Sequence, residues 1–159
     1  VALCINKGIV LPDGNKPRSI IKICNPFCGP CAAAHPVLEA LAEKYGAELY
    51  ILFLGDNSEA DKRVMVARHF MALYQSREET LVKEAMHWWY SSREKSRELL
   101  TEKYPIDNEN YEAVQDRFTK MQDWNTKAEI TFTPTIYVDG YRLPQMYTIK
   151  QLEQLFGYK

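Results

Sequence analysis

The sequence predicts an α/β fold in which a central mixed sheet is flanked by helices and carries an all-helical insertion. Three observations lead there. A short β-type run, Ser19 to Cys24, feeds Phe27-Cys28-Gly29-Pro30-Cys31 and a helical stretch, and a second apolar run, Glu48 to Leu54, follows. Residues 58–129 show no strand pattern and almost no Gly or Pro. A late β-type run, Thr135 to Val138, precedes the hairpin signal Asp139-Gly140 and a closing amphipathic helix.

Each element has its own reason. Gly8 to Leu11 is apolar and runs into the dense turn signal Pro12-Asp13-Gly14-Asn15-Lys16-Pro17, so it reads as an edge strand. Ser19 to Cys24 has β-branched residues on both faces, as a central strand covered on both sides requires. Lys22 interrupts it and is expected to snorkel to the surface. From Gly29 to Tyr45 the residues Val37, Leu38, Leu41, Ala42 and Tyr45 recur at helical spacing, with Pro36 inside the helix and Gly46 as its C-cap. Strand, helix and strand then form a βαβ unit with a parallel pair.

In the insertion, Val64, Ala67, Phe70, Met71 and Tyr74 mark one helix, and Ser76-Arg77-Glu78-Glu79 reads as a capping box for a second, through Tyr90. A charged segment, Ser92 to Tyr104, and a final helix, Glu109 to Lys127, lie either side of Pro105. Trp88, Trp89 and Tyr90 read as inter-helix core rather than the lining of a peptide groove. At the end of the chain, Thr148-Ile149-Lys150-Gln151 is a further capping box, with Ile149, Leu152, Leu155 and Phe156 on one apolar face.

With 159 residues, the chain suits one domain, 1–159, holding the insertion at approximately 58–129. The net charge of -1 gives no phosphate-tracking or membrane-coating surface, which argues against nucleic acid as a partner. There is no run of eighteen apolar residues, so direct membrane insertion of this chain is not expected, and no signal-peptide pattern. The start at Val1 rather than Met suggests a mature or excised fragment.

The chemistry centres on Cys28 and Cys31. A cysteine at a helix start is surrounded by unpaired backbone N–H groups and the positive end of the dipole, which favours thiolate over thiol. Cys28 is therefore the candidate nucleophile. Cys31, one turn further in, is the candidate resolving cysteine that attacks a mixed disulfide formed on Cys28. A zinc knuckle is the rival use of Cys-x-x-Cys, with Cys4, Cys24 and His35 as possible further ligands. No second Cys-x-x-Cys or paired His exists, so no metal is expected. Cys4 and Cys24 lie in apolar runs and read as small buried hydrophobes. His35 is close enough in sequence to Cys31 to be a general base, although packing is the commoner role.

Cys28-Gly29-Pro30-Cys31 after a strand, Pro36 five residues on, and Thr133-Pro134-Thr135 before a late strand together resemble the thioredoxin-fold disulfide oxidoreductases. The resemblance implies a kink at Pro36 and a cis Pro134 facing the cysteine pair. Thr133 and Pro134 would then form a substrate rim, with the Thr133 backbone free to pair with an extended peptide. In thioredoxins a buried acid commonly stands six residues before the first cysteine; Lys22 stands there instead. The helical insertion resembles the larger, Dsb-like periplasmic members, which use that part as a lid. Asn25-Pro26-Phe27-Cys28 also looks like the thioredoxin-like domains fused to vitamin K epoxide reductase homologues.

The expectation is a thiol–disulfide oxidoreductase of an extracytoplasmic, bacterial periplasmic space, with protein thiols or disulfides as substrates. It would use no cofactor beyond a redox-active Cys28–Cys31 disulfide, and a membrane quinone-linked protein such as a vitamin K epoxide reductase homologue as redox partner. The competing class is a non-catalytic peptide-binding or chaperone module that retains the fold.

Overall fold

The computed structural model describes residues 8–11, 18–56, 58, 60–76, 79–144 and 151–154. Cys4, the turn at residues 12–17 and the capping box at Thr148 lie outside them. Five strands, β1 (Ile9–Leu11), β2 (Arg18–Cys24), β3 (Ala47–Phe53), β4 (Thr135–Val138) and β5 (Tyr141–Arg142), form one sheet in the order β1-β3-β2-β4-β5. β2 and β3 pair in parallel and the other neighbours are antiparallel, so the sheet is mixed and β2 is central. The connection between β2 and β3 is α1 (Gly29–Lys44), as a parallel pair requires. Gly46, at φ 61, supplies the left-handed residue after α1 that lets the chain turn into β3. Asp139 (φ 50) and Gly140 (φ 89) make the tight turn between β4 and β5.

Between β3 and β4 lie α2 (Lys62–Gln75), α3 (Glu79–Ser91), α4 (Arg97–Lys103), α5 (Asn108–Ala113) and α6 (Gln115–Lys127). These helices share a core with the sheet. Phe70 stacks on Phe53 of β3 with ring centroids 6.2 Å apart, and Trp89 meets Phe70 edge-on at 6.0 Å. α6 is tied to the end of β3 by polar contacts as well: the Gln122 amide donates to the Phe53 carbonyl at 2.8 Å, Asn125 donates to the same oxygen at 3.0 Å, and Gly55 N–H donates to Gln122 at 2.9 Å. Trp89 is fully buried, which agrees with its reading as core.

Three expectations need correction. The single helix from Glu109 to Lys127 is two: the buried Val114, at φ -89 and ψ -1, is the C-cap of α5 and the N-cap of α6. Ser76 closes α2 instead of opening α3: its hydroxyl donates back to the Leu73 carbonyl at 2.6 Å. Arg77 and Glu78 of that capping box lie outside the described residues. Lys22 does not snorkel. It sits in the central strand between Ile51 and Ile136, shares with Cys24 the face covered by α1, and is fully buried.

Candidate active site

The end of β2 delivers the chain to a short turn built by Asn25. Its side-chain oxygen accepts from Phe27 N–H at 2.8 Å and its carbonyl from Cys28 N–H at 3.1 Å, which fixes where Cys28 begins α1. Cys28 is itself the N-cap, and its sulfur accepts the Cys31 backbone N–H at 3.2 Å in the role a Ser or Asp oxygen usually plays. Gly29 and Pro30 occupy the first helical positions, where Pro's missing N–H costs nothing, and both are exposed. Pro36 lies further along the same helix.

From the other side comes the loop before β4. The Thr133–Pro134 peptide bond is cis, and the Thr133 carbonyl oxygen stands 3.6 Å from Cys28 Sγ, accepting from the thiol. The antiparallel register of β2 with β4, which pairs Ile23 with Thr135, brings these distant segments together. Thr133, Pro134 and Cys28 are half-buried, so the sulfur and the loop share an open rim. Thr135 anchors that loop by donating its hydroxyl to Phe132 O at 2.6 Å.

The described cysteines are all free thiols, and they differ sharply in environment. Cys31 and Cys24 are fully buried. Burial pushes the Cys31 thiol well above the ordinary range, with the neighbouring Cys24 adding to the effect. Burial also raises Cys24, whose sulfur donates to Leu52 O at 3.5 Å and accepts from Tyr90 Oη at 3.3 Å. Among the described residues, no group of three His, Cys, Asp or Glu side chains is arranged to hold a metal ion. His35 is instead turned towards Lys22 Nζ, 3.3 Å from its Nδ1, and Glu39 Oε1, 3.2 Å from its Nε2.

Two supports were not foreseen. Trp89 Nε1 donates to the Pro26 carbonyl at 2.6 Å and its ring meets Phe27 edge-on at 5.4 Å, so α3 holds the turn before Cys28 in place. Lys22 Nζ donates to the Cys31 carbonyl at 3.1 Å from beneath the helix. The reach of Trp89 across 63 residues left no local trace in the sequence.

A strand ending in a Cys-x-x-Cys helix start, with a cis proline beside the first sulfur, defines a thioredoxin-fold thiol site. A family model described as Thioredoxin matches residues 6–156, and the chain belongs to that family. Among solved structures, it is similar to oxidised BdbD from Bacillus subtilis (TM-score 0.75, 13% identity, 96% of this chain and 92% of that one). It is likewise similar to the thiol-disulfide exchange protein alpha-DsbA2 from Wolbachia pipientis (0.76, 11%, 94% and 86%). A periplasmic thioredoxin-like protein from Salmonella enterica serovar Typhimurium aligns as well (0.74, 15%, 95% and 88%). At these identities the likeness is one of fold. A search of curated protein sequences finds no match.

Proposed function

We propose that this chain is a thiol–disulfide oxidoreductase that exchanges disulfides with protein substrates, with Cys28 as nucleophile and Cys31 as resolving thiol. The observation that carries this reading is the placement of Cys28 Sγ at an accessible helix start, between the Cys31 N–H and the Thr133 carbonyl. A donor aimed at the sulfur stabilises negative charge there.

In the reducing direction, the Cys28 thiolate attacks one sulfur of a substrate disulfide. The Cys28–substrate S–S bond forms, the substrate S–S bond breaks, and the departing sulfur takes the electron pair and then a proton. Cys31 then loses its proton and attacks Cys28 Sγ. The Cys28–Cys31 bond forms, the mixed disulfide breaks, and the substrate leaves as a dithiol while the protein has lost two electrons. The reverse sequence oxidises a substrate. Thr133 and Pro134 form the rim against which an extended substrate segment lies, and Gly29 and Pro30 leave the approach to Cys28 open. No cofactor beyond the Cys28–Cys31 disulfide takes part.

The periplasmic relative supports an extracytoplasmic setting, where disulfides persist. No helix among the described residues is long and apolar enough to cross a membrane. We assign residues 1–159 to one domain, with 58–129 as its helical part. Electrons would pass to or from a membrane quinone-linked protein such as a vitamin K epoxide reductase homologue. The test is insulin reduction in dithiothreitol, measured as the onset of precipitation. Wild type should accelerate it and Cys28→Ser should not; equal behaviour of the two would leave a binding or chaperone module as the reading.

A further inference from the structure

Behind Cys31 lies a chain of polar side chains for which the exchange reaction as described has no use. Lys22 is fully buried, and its three N–H donors meet three acceptors: the Cys31 carbonyl at 3.1 Å, His35 Nδ1 at 3.3 Å and the face of the Tyr90 ring, 4.4 Å from its centroid. Among the described residues no carboxylate pairs with it directly. The contacts continue from His35 Nε2 to Glu39 Oε1 at 3.2 Å, and from Glu39 Oε1 to His87 Nδ1 at 3.6 Å. Side-chain exposure rises along this path from 1% at His35 to 15% at Glu39 and 62% at His87. The path therefore runs from the underside of the reactive helix turn to solvent.

Such an arrangement is costly for packing alone, since an apolar side chain would fill the centre of the sheet without burying a charge. Because His35 Nδ1 accepts from Lys22, its ring proton belongs on Nε2, which lies 3.2 Å from Glu39 Oε1 in an electrostatic contact without hydrogen-bond geometry. Charged and titratable groups face this path from three elements: Lys22 and Cys24 on β2, Cys28, Cys31, His35 and Glu39 on α1, and Lys83, His87 and Tyr90 on α3. Burial lowers His35, with Lys22 adding to the effect and Glu39 opposing it, which keeps the ring neutral and its Nδ1 lone pair on Lys22.

We propose that Lys22 is the positioning residue for the resolving step: held by His35 and Tyr90 against the Cys31 carbonyl, it places a positive charge behind Cys31 as that sulfur turns anionic. Glu39 tempers that charge through His35, and His87 connects the path to solvent. The proposal rests on the exchange reading, in which Cys31 must lose a proton before it attacks Cys28. Because burial holds Cys31 high, this second step is the one that needs a nearby cation.

Lys22→Met and Glu39→Gln carry opposite expectations, which a merely structural role would not produce. Reaction of the reduced protein with dithiobis-nitrobenzoate separates the steps, because attack by Cys28 releases one thionitrobenzoate and attack by Cys31 releases a second. Lys22→Met should change the first phase by less than about twofold and slow the second by about tenfold, since a one-unit rise in the Cys31 midpoint cuts its thiolate fraction about tenfold. Glu39→Gln should speed the second phase by about threefold, because it leaves the Lys22 charge less opposed. In parallel, carbon NMR of cysteine-labelled reduced protein should show the Cys31 midpoint moving up in Lys22→Met and down in Glu39→Gln. An unmoved midpoint, or a shift in the same direction for both, overturns the proposal. Should Lys22→Met fail to fold, the sign of the Glu39→Gln shift decides alone. Should the wild type release no second thionitrobenzoate, the exchange reading fails, and the NMR midpoints still decide the role of Lys22.

Discussion

Cys28 Sγ and the carbonyl oxygen of Thr133 lie 3.6 Å apart although 105 positions separate them in the chain. The half-buried sulfur thus sits on an open rim, while Cys24 and Cys31 are sealed in the core and held high by burial. Iodoacetamide applied to the reduced protein at neutral pH should label Cys28 well before either of the others, as read by peptide mass mapping. Earlier labelling of Cys31 or Cys24 would contradict the assignment of roles.

Acid should weaken the fold through buried imidazoles. His35 and His69 are both held below the ordinary histidine value of 6.5, chiefly by burial. A depressed histidine contributes stability that is whole above 6.5 and lost as pH falls below it towards the folded value, because the unfolded chain then binds the proton more readily. Urea midpoints should be flat just above 6.5 and fall as pH drops below it, and His69→Gln should remove part of that slope. A midpoint constant across that window would contradict the burial of these rings.

Trp89 links the helical part to the reactive turn, and a conservative replacement isolates that link. Trp89→Phe keeps an aromatic ring against Phe27 and Phe70 but leaves the Pro26 carbonyl without its donor. An unsatisfied buried acceptor costs about 1–3 kcal/mol. Urea unfolding should show a loss of that size, accompanied by slower reaction at Cys28 as the turn loosens. Unchanged stability would mean that the Trp89 bond to Pro26 contributes nothing to the site.

Much of this was legible because it is local. The strand–Cys-x-x-Cys–helix–strand order, the Asp139-Gly140 turn and the apolar spacing of Val64, Ala67, Phe70 and Met71 each follow from residues within one or two turns of one another. The errors share a different origin. A lysine side chain ordinarily snorkels to the surface, but acceptors on α1 and α3, invisible in the local sequence, hold Lys22 in the core. The stretch from Glu109 to Lys127 carries no Gly or Pro to announce a break, yet it divides at the buried Val114. Pro134 could be assigned a cis bond only by resemblance, since the letters Thr-Pro favour trans.

The helical part was expected to act as a lid, which would make it separable. Its packing predicts the opposite. Phe70, Trp89 and Tyr90 fill the same core as Phe53 and Cys24, so replacing residues 58–129 by a Gly/Ser linker would bare a large apolar face. The truncated protein should aggregate or lack a cooperative urea transition. A soluble variant that unfolds cooperatively would show the sheet and α1 to be self-sufficient.

The central claim is that Cys28 takes a substrate sulfur and Cys31 releases it, and trapping the intermediate tests it most directly. In Cys31→Ser the second attack is impossible, so incubation with a disulfide-bonded protein such as oxidised insulin should accumulate a covalent adduct. Mass mapping should place that adduct on Cys28, and thiol reductant should dissolve it. No adduct, or one mapped to Cys24, would contradict the account.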